Sequence, residues 1–398
     1  METLEKYLED SYYDENIIKK YSWEEAMIKV KKDGNNLQYV IDKTEAICIA
    51  AVRKSHYALE YVKNQTETIC LISVNEYWDN LKYVKEQTDT ICLAAVKKRG
   101  DALKYVRDQT DEICLAAVRQ NPYSLKFVEN QTEAICLAAV EKDGDMLKYV
   151  RDQTDAICIA AVKQYGNFLK FVRNQTEEIC LIAVKQNGAS LRYVRNQTYA
   201  ICLAAVKQNW LSLENVIKQT DEICLAAIIR NAYALQFVAN QTDEICLEAI
   251  KYNWDVLQFI REQTDSICLI AVNENGMSLR HVKHQTNAIC LAAVNKNWLA
   301  LASVINKTDA ICLAAIRQNP YVLQYISNQT DEICLEAVKQ NGDILKFVRN
   351  QTDIICLEAV KWDWHALKYV INQTDAICLA AVKQNIYALE YVLNYIKK

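Results

Sequence analysis

The residues best suited to chemistry are the sixteen cysteines, which recur every 22 residues from Cys48 to Cys378. Thiols at a regular spacing can form disulfides, bind soft metals or act as nucleophiles. The other candidates are four histidines, two of which, His281 and His284, stand three residues apart. Which of these chemistries is open to the chain depends on the elements that carry the thiols.

Sixteen threonines precede the cysteines by four residues, from Thr44 to Thr374, and no insertion or deletion breaks the spacing. A period this strict indicates one small unit stacked on itself many times. We count 17 units, of which the first, residues 22–43, is a degenerate copy with Ala26 in the cysteine position. The sequence therefore predicts a capping segment at residues 1–21, a repeat array over 22–395 and a tail at 396–398.

One unit, Thr176 to Gln197, illustrates the predicted local structure. Thr176 is typical of a helix N-cap, and two glutamates follow it at the positive end of the helix dipole. Asn187 and Gly188 predict the end of that helix, with the glycine in the left-handed conformation. A second, shorter helix is expected from about Ala189 to Asn196.

These features predict an all-α fold, an α-solenoid of about 17 two-helix repeats of 22 residues. A β-solenoid is the rival, because runs such as Ile-Cys-Leu-Ala-Ala-Val also suit a buried strand. The alanine content, the threonine–acidic helix start and the single glycine or proline position per unit all favour helices.

The cysteines are expected on the buried face of the first helix, where Cys180 lies beside Ile179, Ala183 and Val184. Equivalent thiols in stacked units should lie about 8–10 Å apart, beyond the roughly 7 Å between Cα atoms that a disulfide tolerates. We therefore expect reduced thiols that act as small apolar side chains. His281 and His284 lack a third ligand of suitable spacing, so no metal is expected.

Composition excludes several function classes. The formal net charge is −4, from 46 basic and 50 acidic residues, which favours neither nucleic acid nor anionic membrane. We find no signal peptide and no apolar run long enough to span a membrane. We expect a monomeric cytoplasmic protein that is not an enzyme, with no catalytic residue, metal or cofactor.

The string Asn-Gln-Thr-Asp-Glu-Ile-Cys-Leu-Glu-Ala-Val-Lys-Gln-Asn-Gly, residues 328–342, resembles the repeats of uncharacterised proteins from mimivirus-like giant viruses. The resemblance extends over about residues 44–395. It implies a helical repeat array, built from a repeated domain of unknown function, that works in the host cytoplasm or in the virion. It implies no activity, cofactor or catalytic residue.

A basic stripe is predicted on the outer face of the second helices. Its candidate anion-binding residues are Lys82, Lys104, Arg107, Lys126, Lys148, Arg151, Lys170, Arg173, Arg192 and Arg195. Such a line could follow a phosphate backbone. We favour the alternative, in which these residues form local ion pairs with acidic residues four positions later, as in Arg107 with Asp111.

In two repeats, 88 residues apart, this face becomes apolar. The candidate partner-binding residues there are Trp210, Leu211, Ile217, Trp298, Leu299 and Ile305. They could anchor a protein partner. The alternative, which we favour, is that each tryptophan fills core space left by Asn215 or Ser303, where most repeats have an aromatic residue. The sequence as a whole predicts a protein-binding scaffold; the alternatives are nucleic-acid binding and a structural virion component.

Overall fold

The computed structural model describes residues 22–392, and the chain divides into two compact units, Met1–Gln208 and Asn209–Lys398. All regular structure between residues 22 and 392 is helical, with no β-strand. The predicted capping segment at 1–21, the end of the last repeat and the tail at 396–398 lie outside the described residues.

Each repeat contributes one α-helix and one 3-10 helix, numbered here α1–α17 and η1–η17. In the first unit the helices are α1 Trp23–Lys32, η1 Gly34–Tyr39, α2 Glu45–Lys54, η2 Ala58–Tyr61, α3 Glu67–Glu76, η3 Trp78–Tyr83, α4 Asp89–Lys98, η4 Gly100–Tyr105, α5 Asp111–Gln120, η5 Pro122–Phe127, α6 Glu133–Lys142, η6 Gly144–Tyr149, α7 Asp155–Gln164, η7 Gly166–Phe171, α8 Glu177–Gln186, η8 Gly188–Tyr193 and α9 Tyr199–Gln208. In the second unit they are η9 Trp210–Asn215, α10 Asp221–Arg230, η10 Ala232–Phe237, α11 Asp243–Tyr252, η11 Trp254–Phe259, α12 Asp265–Glu274, η12 Gly276–His281, α13 Asn287–Lys296, η13 Trp298–Ser303, α14 Asp309–Gln318, η14 Pro320–Tyr325, α15 Asp331–Gln340, η15 Gly342–Phe347, α16 Asp353–Trp362, η16 Trp364–Tyr369, α17 Asp375–Gln384 and η17 Ile386–Tyr391.

The packing within each unit confirms the predicted α-solenoid class. Successive α-helices contact one another, and each 3-10 helix packs on the α-helices of its own and the following repeat. The core consists of the same positions in every repeat: in α8 these are Ile179, Cys180, Ala183 and Val184, and in η8 Leu191, all at most 2% exposed. Each layer thus buries its apolar face against its sequence neighbours.

The first helix begins as predicted, but the second differs from the prediction. Thr176 caps α8 by accepting a hydrogen bond from the Ile179 amide (3.4 Å). The second element is a 3-10 helix, Gly188–Tyr193, and not a longer α-helix ending at Asn196. Asn187 marks where this element begins: its backbone is extended, and its side chain accepts from the Ala189 amide.

The prediction that the glycines adopt the left-handed conformation is wrong, since no described glycine has a positive φ. Glycine instead allows successive repeats to approach each other closely. A Cβ on Gly166 would lie 2.3 Å from the carbonyl oxygen of Ala183 in the next repeat and 2.6 Å from the Ser190 hydroxyl. Both distances are far below van der Waals contact.

Gly166→Ala is therefore expected to destabilise the protein by about 1–3 kcal/mol, the usual range for overpacking a tight contact. Gly144→Ala is the matched control, because its Cβ would meet the movable ring of Phe168 and not a backbone atom. Urea unfolding of the three proteins measures the effect. Equal stability of Gly166→Ala and the parent protein would contradict the close-approach explanation.

Candidate interaction surfaces

A column of glutamine side chains joins successive repeats, and the sequence analysis did not detect it. In most repeats a glutamine precedes the threonine and donates from Nε2 to two carbonyls, one in its own 3-10 helix and one at the end of the next. Gln153, for example, reaches Leu147 O (3.2 Å) and Phe171 O (2.9 Å). Its Oε1 accepts from the Arg173 amide (2.9 Å). The carboxamide therefore satisfies three backbone groups that the extended turns leave open.

The same three bonds recur through both units. The carboxamide bridges are made by Gln65, Gln87, Gln109, Gln131, Gln153, Gln175, Gln219, Gln241, Gln263, Gln285, Gln329 and Gln351. The bonds to the next repeat are 2.8–3.1 Å long. The Asn-Gln-Thr string was the available signal, but only its threonine was assigned a role.

The cysteines are buried, as predicted, except for Cys378, which is partly exposed, and every thiol is free. Cys158 is 2% exposed and its Sγ lies 3.9 Å from Gln153 Oε1, so this thiol also faces the carboxamide column. Burial, with an acidic residue at the helix start as a smaller cause, raises the pKa of nine thiols, including Cys158, from 9.0 to about 11. A protonated, buried thiol is a poor nucleophile.

The arginines of the predicted basic stripe bind backbone carbonyls of the preceding repeat. Arg107 donates to Lys85 O (2.8 Å) and Val84 O (3.0 Å), and Arg151 to Glu129 O (2.7 Å). Arg173 and Arg195 make the equivalent bonds. The expected ion pair of Arg107 with Asp111 is wrong, because the guanidinium turns back along the stack to these carbonyls.

The remaining stripe residues lie over aromatic rings in the first unit. Each cation is 4.6–5.9 Å from the ring that follows it in sequence: Lys82 with Tyr83, Lys104 with Tyr105, Lys126 with Phe127, Lys148 with Tyr149, Lys170 with Phe171 and Arg192 with Tyr193. Two also pair with carboxylates, Lys82 with Asp79 (3.5 Å) and Lys148 with Asp145. The six pairs form a cation–aromatic column on η3–η8.

The candidate partner-binding residues all lie in the second unit. Trp210 and Trp298 are half-buried. The other four side chains are exposed: Leu211 45%, Ile217 75%, Leu299 47% and Ile305 71%. Together these six residues are called the apolar surface below. Ile217 and Ile305 stand where Arg107 or Arg195 stands in the first unit.

The two tryptophans differ in their surroundings. The Trp210 ring packs on Phe237 of the next repeat, with 6.1 Å between centroids. Trp78 with Tyr105 (6.3 Å) and Trp364 with Tyr391 (5.9 Å) are arranged similarly. Trp298 makes no ring contact with the equivalent Tyr325, as judged within residues 22–392.

The histidines are not gathered into a metal site. His281 Nε2 lies 2.9 Å from Asp255 Oδ1, beside Arg280 and away from any thiol. The hydrogen bond from Arg280, with those from His281 and Tyr233, lowers the pKa of the Asp255 carboxyl below its usual value. In the part of the chain that the structure describes, no three potential ligands meet, and no helix has the length and apolarity that a membrane crossing requires.

Three segments of the chain match one family model. The family is described as "Domain of unknown function (DUF4116)", and the matches are residues 89–132, 156–199 and 310–353. Each match covers two successive repeats, so the resemblance to a repeated domain of unknown function is confirmed for these segments. No curated protein and no solved structure is significantly similar to the chain.

The raised thiol pKa values predict a loss of stability at alkaline pH. The unfolded chain releases its thiol protons near pH 9.0, whereas Cys158 retains its proton to about pH 11 in the folded state. Because the unfolded state then binds fewer protons, the free energy of unfolding falls as pH rises through this window. Thermal unfolding at a series of pH values measures the slope, and replacing Cys92, Cys114, Cys136 and Cys158 by alanine should reduce it. Thiolate absorbance of the native protein that titrates below pH 9 would contradict this account.

Gln153→Leu is expected to lower the free energy of unfolding by about 2–4 kcal/mol, because three backbone partners lose bonds worth roughly 0.5–1.5 kcal/mol each. Gln340→Leu is the control, since Gln340 is exposed at the end of α15 and its side chain makes no hydrogen bond to any residue between 22 and 392. Denaturant unfolding gives the energies, and amide exchange at Arg173 localises them. Unchanged protection of that amide would show that the bridge is dispensable.

Proposed function

We propose that the protein is a non-enzymatic scaffold that binds another protein through the apolar surface of its second unit. The observation that carries this proposal is the exposure of Leu211, Ile217, Leu299 and Ile305, which are 45–75% exposed. Apolar side chains that are exposed together outside the core lower solubility and are characteristic of interaction sites. Half-buried tryptophans beside them have the anchor chemistry that dominates protein interfaces.

The non-enzymatic part of the proposal is supported by the state of the thiols. They are the most numerous potential nucleophiles, yet their high pKa values and burial keep them protonated at neutral pH. The resemblance to giant-virus repeat proteins supports a role in an infected cell, in the host cytoplasm or in the virion. A structural virion component remains a related alternative, and we take the working form to be a monomer.

The cation–aromatic column of the first unit favours a second candidate function, binding of single-stranded nucleic acid. Phosphates can pair with the cations of η3–η8 while bases stack on the neighbouring rings. Two observations make nucleic-acid binding the weaker candidate. Asp79 and Asp145 already pair with Lys82 and Lys148. The guanidinium groups of Arg107 and Arg151 already donate to backbone carbonyls.

The two candidates are separated by a binding experiment with matched variants. Leu299→Glu/Ile305→Glu disrupts the apolar surface, and Ile354→Glu is the control, since Ile354 is 67% exposed on α16. A partner is first identified by cross-linking in infected-cell lysate with and without nuclease, then purified for titration. We expect the double variant to weaken binding of that partner about tenfold or more, equivalent to about 1.4 kcal/mol, with the control unchanged.

Two outcomes would contradict protein binding through this surface. One is equal affinity of the double variant and the control. The other is loss of all cross-links after nuclease treatment, together with salt-sensitive binding of single-stranded oligonucleotides that Lys104→Glu/Lys126→Glu abolishes. The second outcome would establish the nucleic-acid function instead.

A further inference from the structure

One bridge of the glutamine column is missing in the second unit, because Lys307 stands in the glutamine position. Lys307 Nζ donates to Val304 O (2.9 Å), within its own repeat. A glutamine there would donate to Leu301 O and Tyr325 O and accept from the Ser327 amide, as Gln219 does with Leu213 O, Phe237 O and the Ala239 amide. Among the described residues, no side chain takes these places on Tyr325 and Ser327.

The missing bridge coincides with a local change in the backbone and in a ring. The residue after the 3-10 helix, Ile326, has φ −92°, Val62 beside the Lys43 bridge has φ −84°, and the equivalent residues next to a glutamine bridge have φ between −70° and −79°. Tyr325 is 66% exposed, and its ring does not lie on Trp298. Lysine alone does not explain this, since Lys43 at the same position bridges to Tyr61 O (2.8 Å).

A cavity of about 450 Å³ lies where the ring would otherwise pack, between η13 and η14. Trp298, Leu301, Lys307, Val322 and Tyr325 are among the residues that line it. Ala302 has a short side chain where the other repeats carry lysine, arginine, glutamine or glutamate. This is a volume suited to a small ligand.

The rest of the chain shows which chemical group satisfies the polar atoms of this site. Twelve carboxamides elsewhere each donate two hydrogen bonds to the equivalent carbonyls and accept one from the equivalent amide. A carboxylate would place negative oxygens against Leu301 O and Tyr325 O, and an ammonium could not accept from Ser327. A primary amide carries both kinds of group in one plane.

The apolar part of the cavity indicates what the ligand carries besides the amide. In the Trp210 copy, the space over the indole is filled by the ring of Phe237. In the Trp298 copy the same space is empty and faces Tyr325. A planar ring can stack there on the indole, as aromatic pairs prefer.

We propose that the cavity between η13 and η14 binds an aromatic ring that carries a primary carboxamide. The ring lies between Trp298 and Tyr325, and the amide occupies the glutamine position on Leu301 O, Tyr325 O and the Ser327 amide. The group can come from a free aromatic amide or from a glutamine next to an aromatic residue in a peptide. This site does not depend on the proposed protein-binding role of the apolar surface.

Three small probes test the ligand chemistry: para-fluorobenzamide, para-fluorobenzoate and N,N-dimethyl-para-fluorobenzamide. Their binding to the full chain is measured by fluorine NMR titration. We expect the primary amide to bind about tenfold or more tightly than the other two, because they cannot donate to the two carbonyls. The peptides acetyl-Gln-Phe-amide and acetyl-Glu-Phe-amide distinguish the sources. Failure of both the free amide and the glutamine peptide to bind would overturn the proposal, as would equal binding of all three probes.

Two variants test the site. Lys307→Gln restores the bridge and should close the cavity, weakening the primary amide about tenfold or more while raising the melting temperature. Ala302→Phe fills the cavity without touching the glutamine position and should also abolish binding. Unchanged affinity in both Lys307→Gln and Ala302→Phe would place any binding elsewhere and refute this site.

Discussion

The hydrogen bonds of one carboxamide per repeat are the interaction on which the stacking depends. A short α-helix followed by a six-residue 3-10 helix leaves carbonyls and amides at its extended turns without partners. Buried backbone groups of this kind are costly unless satisfied. Gln153 and its equivalents satisfy three at once and do so across the boundary between repeats. Because the bridge joins specific atoms of successive repeats, it also fixes their register, which apolar contacts alone specify less sharply.

Much of this fold follows from the sequence, because its signals are local and repeated. The threonine starts, the apolar positions around Cys180 and the 22-residue period together specify short stacked helices and a buried thiol column. The 3-10 geometry does not follow as directly, since six residues bounded by Asn187 and Val194 suit either helix type until the cap hydrogen bonds are known. The role of glycine was missed because close approach by Ala183 O is a contact between repeats, which no local pattern encodes.

The candidate sites were harder to predict than the fold for the same reason. Arginine four residues before an aspartate suggests an ion pair, yet Arg107 instead donates to carbonyls of the preceding repeat. The residues named for the apolar surface are where the sequence placed them, on the 3-10 helices and the turns that follow. What the sequence did not indicate is that the Trp210 and Trp298 copies differ in structure. The two copies differ at Gln219 and Lys307, positions that had been assigned no role.

A regular stack also explains how one repeat can depart from the pattern without loss of the fold. The repeats on either side of Lys307 keep their bridges, through Gln285 and Gln329, so the layers remain held in register while one contact between them opens. In a fold of this kind stability is spread over many equivalent interfaces. A site can therefore arise by removing one interaction, because the backbone atoms that lose their side-chain partner and the uncovered indole already have the arrangement that the missing groups required. The chemistry of such a site is set by the group that the other repeats place there, which is why the carboxamide column and the cavity beside Trp298 are best understood together.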